Sequence, residues 1–340
     1  MKAIVYSSHG ESSVLSLVDR EIPEPGPGEV RVRIAVSGVN PTDWKSRSAT
    51  ARLDRFGEIV PNQDGAGVVD AAGHGVTDLS TGDRVWLYLT QHERPGGTAQ
   101  EYVVVPASHA VPLADDVDFA TGASLAVPAM TAHRALTVHE DGPARLSPGA
   151  LAGRTVFVSG GAGAVGRAAV QLAHWAGGTV IATVSSPEKA ALARAAGAHH
   201  VIDYPTEDVP ARVAELAPGG VDHLVEVAIV ANAAQDAAIA ANRASLAYYA
   251  DDGGPTFTMP TRGSFAKNLR LQGVLLYNVA PQAWAAAVDD ITAALGDGIL
   301  RSGAETGLPL TWFPLERTAA AHDAVQGRTV GKVLIRVADL

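Results

Sequence analysis

Cysteine is missing from all 340 residues. Its absence excludes disulfides, iron–sulfur clusters, cysteinyl zinc sites and a thiol nucleophile together, and it fits a reducing cytoplasm. Aromatic residues are scarce at 5%, yet hydrophobic residues reach 47%, which in a chain of this length is enough apolar surface for two buried cores. Basic residues are outnumbered, 26 Lys and Arg against 36 Asp and Glu, giving a formal net charge of -10 with no basic cluster above that background. Nucleic acid and anionic membrane surfaces are thereby excluded as partners, which leaves small molecules. The charge-free stretch Leu271 to Val288 is interrupted by Gln272, Gly273, Asn278, Pro281 and Gln282, so it does not read as a membrane span. Met1-Lys2 leads straight into strand-like Ala3-Ile4-Val5-Tyr6 rather than an apolar signal segment, and a cytoplasmic protein without membrane association is expected. The 11 His include no i, i+4 pair beside an acid, and His199-His200, being adjacent, point apart.

What the chain does contain changes character near Met130. Before it lie short β-like runs punctuated by Gly, Pro and Asp: Lys2 to Tyr6, Glu29 to Val36, Gly65 to Val69, Arg84 to Tyr88 and Glu101 to Val105. After it, strands alternate with Ala-rich helical segments. The strands are Thr155 to Ser159, Thr179 to Val184, His200 to Ile202, His223 to Val227, Ser245 to Tyr249 and Leu271 to Tyr277, the content of a six-stranded doubly wound sheet. A helix from Pro281 to Leu295 and a strand from Gly331 to Val337 are expected to return to the first module.

The first of those strands runs into Gly161-Ala-Gly-Ala-Val-Gly166, followed by Val165, Ala168, Ala169, Leu172 and Ala176 at helical spacing and a Gly177-Gly178 stop. That order is a dinucleotide-binding turn: Gly161 permits the tight turn, Gly163 lets the backbone approach a pyrophosphate, and Gly166 allows close packing of helix on strand. The helix N-terminus offers free N–H groups and the positive end of its dipole to the phosphates. An acid about 20 residues further on would mark a free ribose 2'-hydroxyl. None stands at the strand end: the chain there reads Thr183-Val-Ser-Ser-Pro-Glu-Lys189, and its first acid, Glu188, is expected to point along the next helix. Ser185, Ser186 and Lys189 suit a 2'-phosphate dianion, so the cofactor is expected to be NADPH; Ser186-Pro187 is equally an ordinary N-cap and N1 pair.

Gly38-Val-Asn-Pro-Thr-Asp-Trp44, Pro61-Asn-Gln-Asp-Gly-Ala-Gly67, Gly82-Asp-Arg-Val85, Val127-Pro-Ala-Met-Thr-Ala132 and Ala162-Gly-Ala-Val-Gly166 resemble the medium-chain dehydrogenase/reductase superfamily over essentially the whole chain. Within it the chain is most similar to the zinc-free quinone oxidoreductase, or zeta-crystallin-like, branch. The resemblance implies an α/β protein with a doubly wound Rossmann parallel sheet and a discontinuous β-rich GroES-like domain. Residues 1–127 and 279–340 would form that substrate domain, and 128–278 the NADPH-binding domain. Where zinc-dependent relatives carry Cys, His-Glu and a later ligand, this chain has Asn40, Gln63-Asp64 and Val127, so no catalytic metal is expected. The four-Cys structural lobe is missing as well.

Loss of the metal removes the Lewis acid that makes alcohol oxidation practical, so the acceptor must itself be electrophilic. The branch implies quinones or α,β-unsaturated carbonyls, positioned beside the nicotinamide with hydrogen bonds to the developing oxyanion. By carry-over, Asn40, Asp43, Gln63 and Thr131 are the candidates beside nicotinamide or substrate. Asn40 and Gln63 would donate to a substrate oxygen and Thr131 would bond the carboxamide or ribose, while Asp43 equally suits a helix cap. The resemblance also places Ala164 and Val165 of the turn and Tyr204 after the third strand against the cofactor; Tyr248, at the end of the fifth, is a candidate for the cofactor cleft from its position alone and equally suits packing. Related enoyl reductases often carry a Tyr proton donor shortly after position 43; Arg47 to Phe56 holds none, which leaves solvent to protonate the product. Three readings follow: an NADPH-dependent quinone oxidoreductase, a C=C reductase of enals, enones or enoyl thioesters, and a non-catalytic NADPH-binding sensor or structural protein. An uncovered apolar edge strand at Leu269 to Tyr277 argues for a homodimer.

Overall fold

A computed structural model describes residues 1–48 and 52–340; of the stretch from Arg47 to Phe56, positions 49–51 lie outside it. The chain falls into two compact units, Met1–Val127 with Pro309–Leu340, and Pro128–Leu308. In chain order the first unit opens with β1 (Lys2–Val5), β2 (Ser16–Asp19), β3 (Glu29–Val39), α1 (Pro41–Ser48), α2 (Arg52–Phe56) and β4 (Asp64–Ala72). It continues through β5 (Arg84–Leu87), β6 (Tyr102–Pro106), β7 (Ala110–Pro112) and α3 (Phe119–Gly122), and α4 (Ala126–Leu136) carries the chain into the second unit, which begins at Pro128. The second unit holds β8 (Thr155–Val158), α5 (Ala164–Trp175), β9 (Thr179–Val184), α6 (Pro187–Ala195), β10 (His200–Asp203) and α7 (Val209–Leu216). It then adds β11 (Val221–Glu226), α8 (Ile229–Ile239), β12 (Ala240–Tyr248), α9 (Thr261–Phe265), β13 (Arg270–Gly273) and α10 (Pro281–Gly296). The chain returns to the first unit with β14 (Leu310–Pro314), α11 (Thr318–Gln326) and β15 (Lys332–Arg336).

The first unit is built on a sheet in the order β14-β15-β3-β4-β5-β7, with β6 on β3 and all pairings antiparallel except β14 on β15. β3 alternates as a half-buried strand should: Val30, Val32 and Ile34 face the core with Val69, Val85 and Val103, while Arg31 and Arg33 turn away. The last strand inserts beside β3, where Leu334 pairs with Gly38 and Val333 with Val39. A pairing between positions 296 apart, Gly38 and Leu334, thus closes this domain.

The second unit is a six-stranded parallel sheet in the order β10-β9-β8-β11-β12-β13, with Phe157 of β8 in register with Ile181 and Leu224. Its central strands β8 and β9 are apolar and almost wholly buried, as helices on both faces of a parallel sheet require. The strand order reverses between β8 and β11, and the carboxyl ends of those two strands open a crevice.

Two expectations are corrected. The sixth strand ends at Gly273 rather than Tyr277: Val274 N–H bonds back to Tyr248 O, and Leu276–Asn278 coil into a single 3-10 turn whose Leu276 carbonyl accepts from Trp284 Nε1. Residues 279–308 belong to the second unit, not the first. Asp290 of α10 accepts from His133, Arg145 and the Leu146 amide, and Arg167 of α5 donates to the Thr306 carbonyl, so side chains without any periodic signature decide where the segment packs.

Candidate functional site

The turn after β8 departs from expectation in one residue. Gly160, not Gly161, takes the left-handed backbone with φ +70. Gly161 has another reason to lack a side chain, because a Cβ there would come within 2.7 Å of the Ala182 methyl on β9. Gly166 sits where a Cβ would overlap the Gly160 carbonyl oxygen, so α5 can approach the turn only because position 166 is bare. Gly163 caps α5 without a side-chain bond, and nothing nearer than 3.4 Å would meet a Cβ there. Its neighbours Ala164 and Val165 form the open first turn of α5. The turn is tied down from β9 by Gly161 N–H to Thr183 O at 2.9 Å and Gly160 N–H to Thr183 Oγ1 at 3.2 Å.

A cavity of about 450 Å³ opens beside it, with Ser159, Gly160, Thr183, Tyr204, Val227 and Asn232 in its wall. Tyr204, after β10, is 54% exposed in that wall. Beneath the wall lies a carboxyl pair that the sequence did not signal. Glu226, at the end of β11, accepts from the Ala228 amide and from Asn232 Nδ2, which stands 3.3 Å from each of its oxygens. Asp236, one helical turn past Asn232, is wholly buried and finds no N–H or O–H donor. Burial and then the Glu226 charge push its pKa up, so it holds a proton. The Glu226 oxygens hold the amide nitrogen of Asn232, a residue of the cavity wall.

The residues chosen for phosphate recognition stand outside that wall, at the end of β9. Lys189 Nζ donates to Ser185 Oγ at 2.8 Å, while Ser186 Oγ accepts from Lys189 N–H at 3.3 Å as the N-cap of α6. Ser186 is thereby committed to its cap. Tyr248 packs edge-on against Phe257 at 5.7 Å and is not in the cavity wall. Thr131 is buried on α4.

In the first unit, Asn40, Asp43, Gln63 and Asp64 converge at the end of β3 and the start of β4, each at most 2% exposed. Asp43 is not free: its carboxylate accepts from Asn40 N–H at 2.7 Å and Gln63 N–H at 3.2 Å, holding the start of α1 against the start of β4. Burial, then the charge of Asp64, raises its pKa to about 7. Gln63 is likewise committed, its amide bonded both ways with Gln91. Asn40 Nδ2 donates to Asp64 Oδ2 at 2.7 Å, and Asp64 Oδ1 accepts from Val127 N–H at 3.0 Å. The sequence reading missed the group that completes the cluster. Lys332 of β15, 2% exposed, places its ammonium 2.7 Å from Asn40 Oδ1 and 3.1 Å from Asp64 Oδ2. A lysine opening a terminal strand ordinarily reads as solvated, so only its partners reveal it. Two amides, an apolar Val127 side chain and an ammonium do not fit a zinc ion, and among the described residues no three His, Cys, Asp or Glu gather into a metal-binding group.

Among the described residues no helix is long and apolar enough to cross a membrane. Residues 26–115 match the alcohol dehydrogenase GroES-like domain, and residues 164–293 match the zinc-binding dehydrogenase domain. A quinone oxidoreductase of Lama guanicoe is 30% identical, with 98% of this chain and 97% of that one covered. A 2-haloacrylate reductase of a Burkholderia species is also 30% identical over 98% of both chains. The crystal structure of a mycobacterial protein complexed with NADPH superposes with a TM-score of 0.81 at 29% identity, covering 99% of this chain and 100% of that one. Strand order, glycine turn and whole-length similarity agree: the chain belongs to the quinone oxidoreductase branch of the medium-chain dehydrogenase/reductase superfamily and is an NAD(P)H-dependent oxidoreductase.

Proposed function

We propose that this protein is an NADPH-dependent, zinc-independent quinone oxidoreductase. The observation that carries the reading is the cradle at Gly160 to Gly166, where bare α-carbons admit a phosphate to the helix end beside an adenosine-sized cavity. When bound there, the cofactor supplies the hydride. The N–H groups at the start of α5 hold the pyrophosphate, Tyr204 and Asn232 flank the adenosine, and Ser185 with Lys189 takes the 2'-phosphate. Thr131 holds the nicotinamide end. In the other unit, Asn40 has one amide hydrogen beyond the bond to Asp64 and offers it to the acceptor oxygen, while Asp43 and Gln63 keep Asn40 and β4 in place. An amide donor adds no Lewis acidity, which restricts the acceptor to quinones and similarly activated carbonyls.

A panel of acceptors run with NADPH and NADH in parallel, with and without a chelator, tests this. The expected result is quinone-dependent oxidation of NADPH, weaker use of NADH, and no effect of chelator. Chelator inactivation ends the zinc-free reading, and an NADH preference ends the phosphate assignment. A second reading, reduction of a C=C bond conjugated to a carbonyl or carboxylate, is favoured by the 2-haloacrylate reductase relative, and a 2-alkenal in the same panel separates it. We also propose a cytoplasmic homodimer, joined at the β13 edge, where Leu271 and Leu275 are 43% and 55% exposed. Sedimentation of the wild type against Leu271→Lys measures it.

A further inference from the structure

Lys332 has no role in the reading above. Its ammonium lies in the interior between Asn40 and Asp64, reaching there from the last strand. The path is made for it: Gly38 on the paired strand has no side chain, and a Cβ at that position would come within 3.1 Å of Lys332 Cε while overlapping the Ala123 carbonyl oxygen. Buried ion pairs are a poor source of stability, because desolvating both charges about cancels their attraction, and apolar replacements do as well or better. A buried lysine aimed at an amide beside two carboxylates is therefore better explained by what it does to that amide.

The chemistry of the partners is one-directional. An ammonium only donates and an ionised carboxylate only accepts, so Lys332 and Asp64 together allow Asn40 a single orientation, carbonyl oxygen to Nζ and nitrogen to Oδ2. Asp43 pins the Asn40 main chain from the third side. Withdrawal of electron density from the carbonyl strengthens the remaining amide hydrogen as a donor, and a fixed positive charge behind it favours any acceptor oxygen that gains negative charge. We infer that Lys332 is a positioning residue of the reduction: an internal cation that acts through Asn40 to stabilise the developing oxyanion. This inference rests on the proposal that Asn40 meets the acceptor.

The test compares Lys332→Met, the charge-balanced pair Lys332→Met with Asp64→Asn, Asn40→Ala, and Asn40→Ala with Lys332→Met. The pair guards against misfolding, since it leaves no unpaired buried charge. Steady-state rates are read with whichever of a p-quinone or a 2-alkenal the wild type reduces faster, alongside NADPH affinity by fluorescence and thermal midpoints. The expected result is a charge-balanced variant that folds and binds NADPH within about twofold of wild type, with kcat lowered about 10- to 100-fold, the range for a lost charge-assisted hydrogen bond, and a smaller change in acceptor KM. Losses from Asn40→Ala and Lys332→Met must not multiply when combined, because both remove the same donor. Wild-type kcat in the charge-balanced variant, multiplying losses, or an inert Asn40→Ala overturns the inference. A wild type that binds no NADPH or reduces neither acceptor instead overturns the functional reading on which it rests.

Discussion

Lys189 bonds the hydroxyl of Ser185 across one turn, Nζ to Oγ at 2.8 Å, at the carboxyl end of β9. The bond preorganises an ammonium and a hydroxyl at the place where a carboxylate would select a free 2'-hydroxyl. Lys189→Ala and Ser185→Asp should each lower the ratio of kcat/KM for NADPH over NADH, by about 10- to 100-fold for the first, the range for one charged hydrogen bond. Steady-state kinetics with both cofactors measures the ratio, and an unchanged ratio in Lys189→Ala removes Lys189 from phosphate recognition.

Gly166 and Gly160 touch where α5 meets the turn. Gly166→Ala places a methyl against the Gly160 carbonyl oxygen and must push helix and turn apart, which should weaken NADPH binding at least tenfold in a fluorescence titration. Gly160→Ala instead strains a backbone at φ +70, costing roughly 1 to 2 kcal/mol of stability with a smaller effect on affinity. Equal losses of affinity in the two would show that the turn tolerates separation from the helix.

Buried histidines set the acid limit. Burial holds His223 and His109 down to about 4 and His322 to about 3, against 6.5 for an exposed imidazole. Below pH 6.5 the unfolded chain therefore binds protons that the folded chain refuses. Stability is complete above that pH and drains as pH falls toward 4, at about 1.4 kcal/mol per unit for each group. Both ring nitrogens of His223 lack a partner, so His223→Leu should flatten the slope between pH 6 and 4 in urea titrations without loss at pH 8. An unaltered slope would remove His223 from the acid transition.

Asp290 anchors α10. Although burial opposes it, hydrogen bonds from His133, Arg145 and the Leu146 amide hold its carboxyl near 2. Its contribution is present above the ordinary carboxylate range and lost as pH falls from about 4 to about 2. Asp290→Ala strands a buried histidine and a backbone amide and should cost about 3 to 5 kcal/mol, read as a lower thermal midpoint at pH 7. A change under 1 kcal/mol would mean that α10 is held by apolar packing alone.

Much of the fold is written in local pattern. The alternation of Val30, Val32 and Ile34 with Arg31 and Arg33, and the spacing of Val165, Ala168 and Leu172 after a glycine turn, are consequences of strand and helix periods acting on neighbouring residues. Boundaries without a period were harder. The end of β13 and the placement of residues 279–308 depend on Trp284, Asp290 and Arg167 finding partners up to 157 positions away, which leaves no repeat to read.

The site divides in the same way. Sequence alone determined the nucleotide-binding turn, the hydroxyl and ammonium at the end of the second sheet strand, and the absence of a cysteine or histidine ligand set, because each is a matter of residue type at short spacing. Only the tertiary structure decided that Gly160 carries the strained angle, that Asp43 and Gln63 are consumed by backbone and by Gln91, that Asp236 must keep a proton, and that Lys332 stands between Asn40 and Asp64. Those outcomes depend on desolvation and on which buried donor meets which buried acceptor, quantities that exist only once distant segments share an interior.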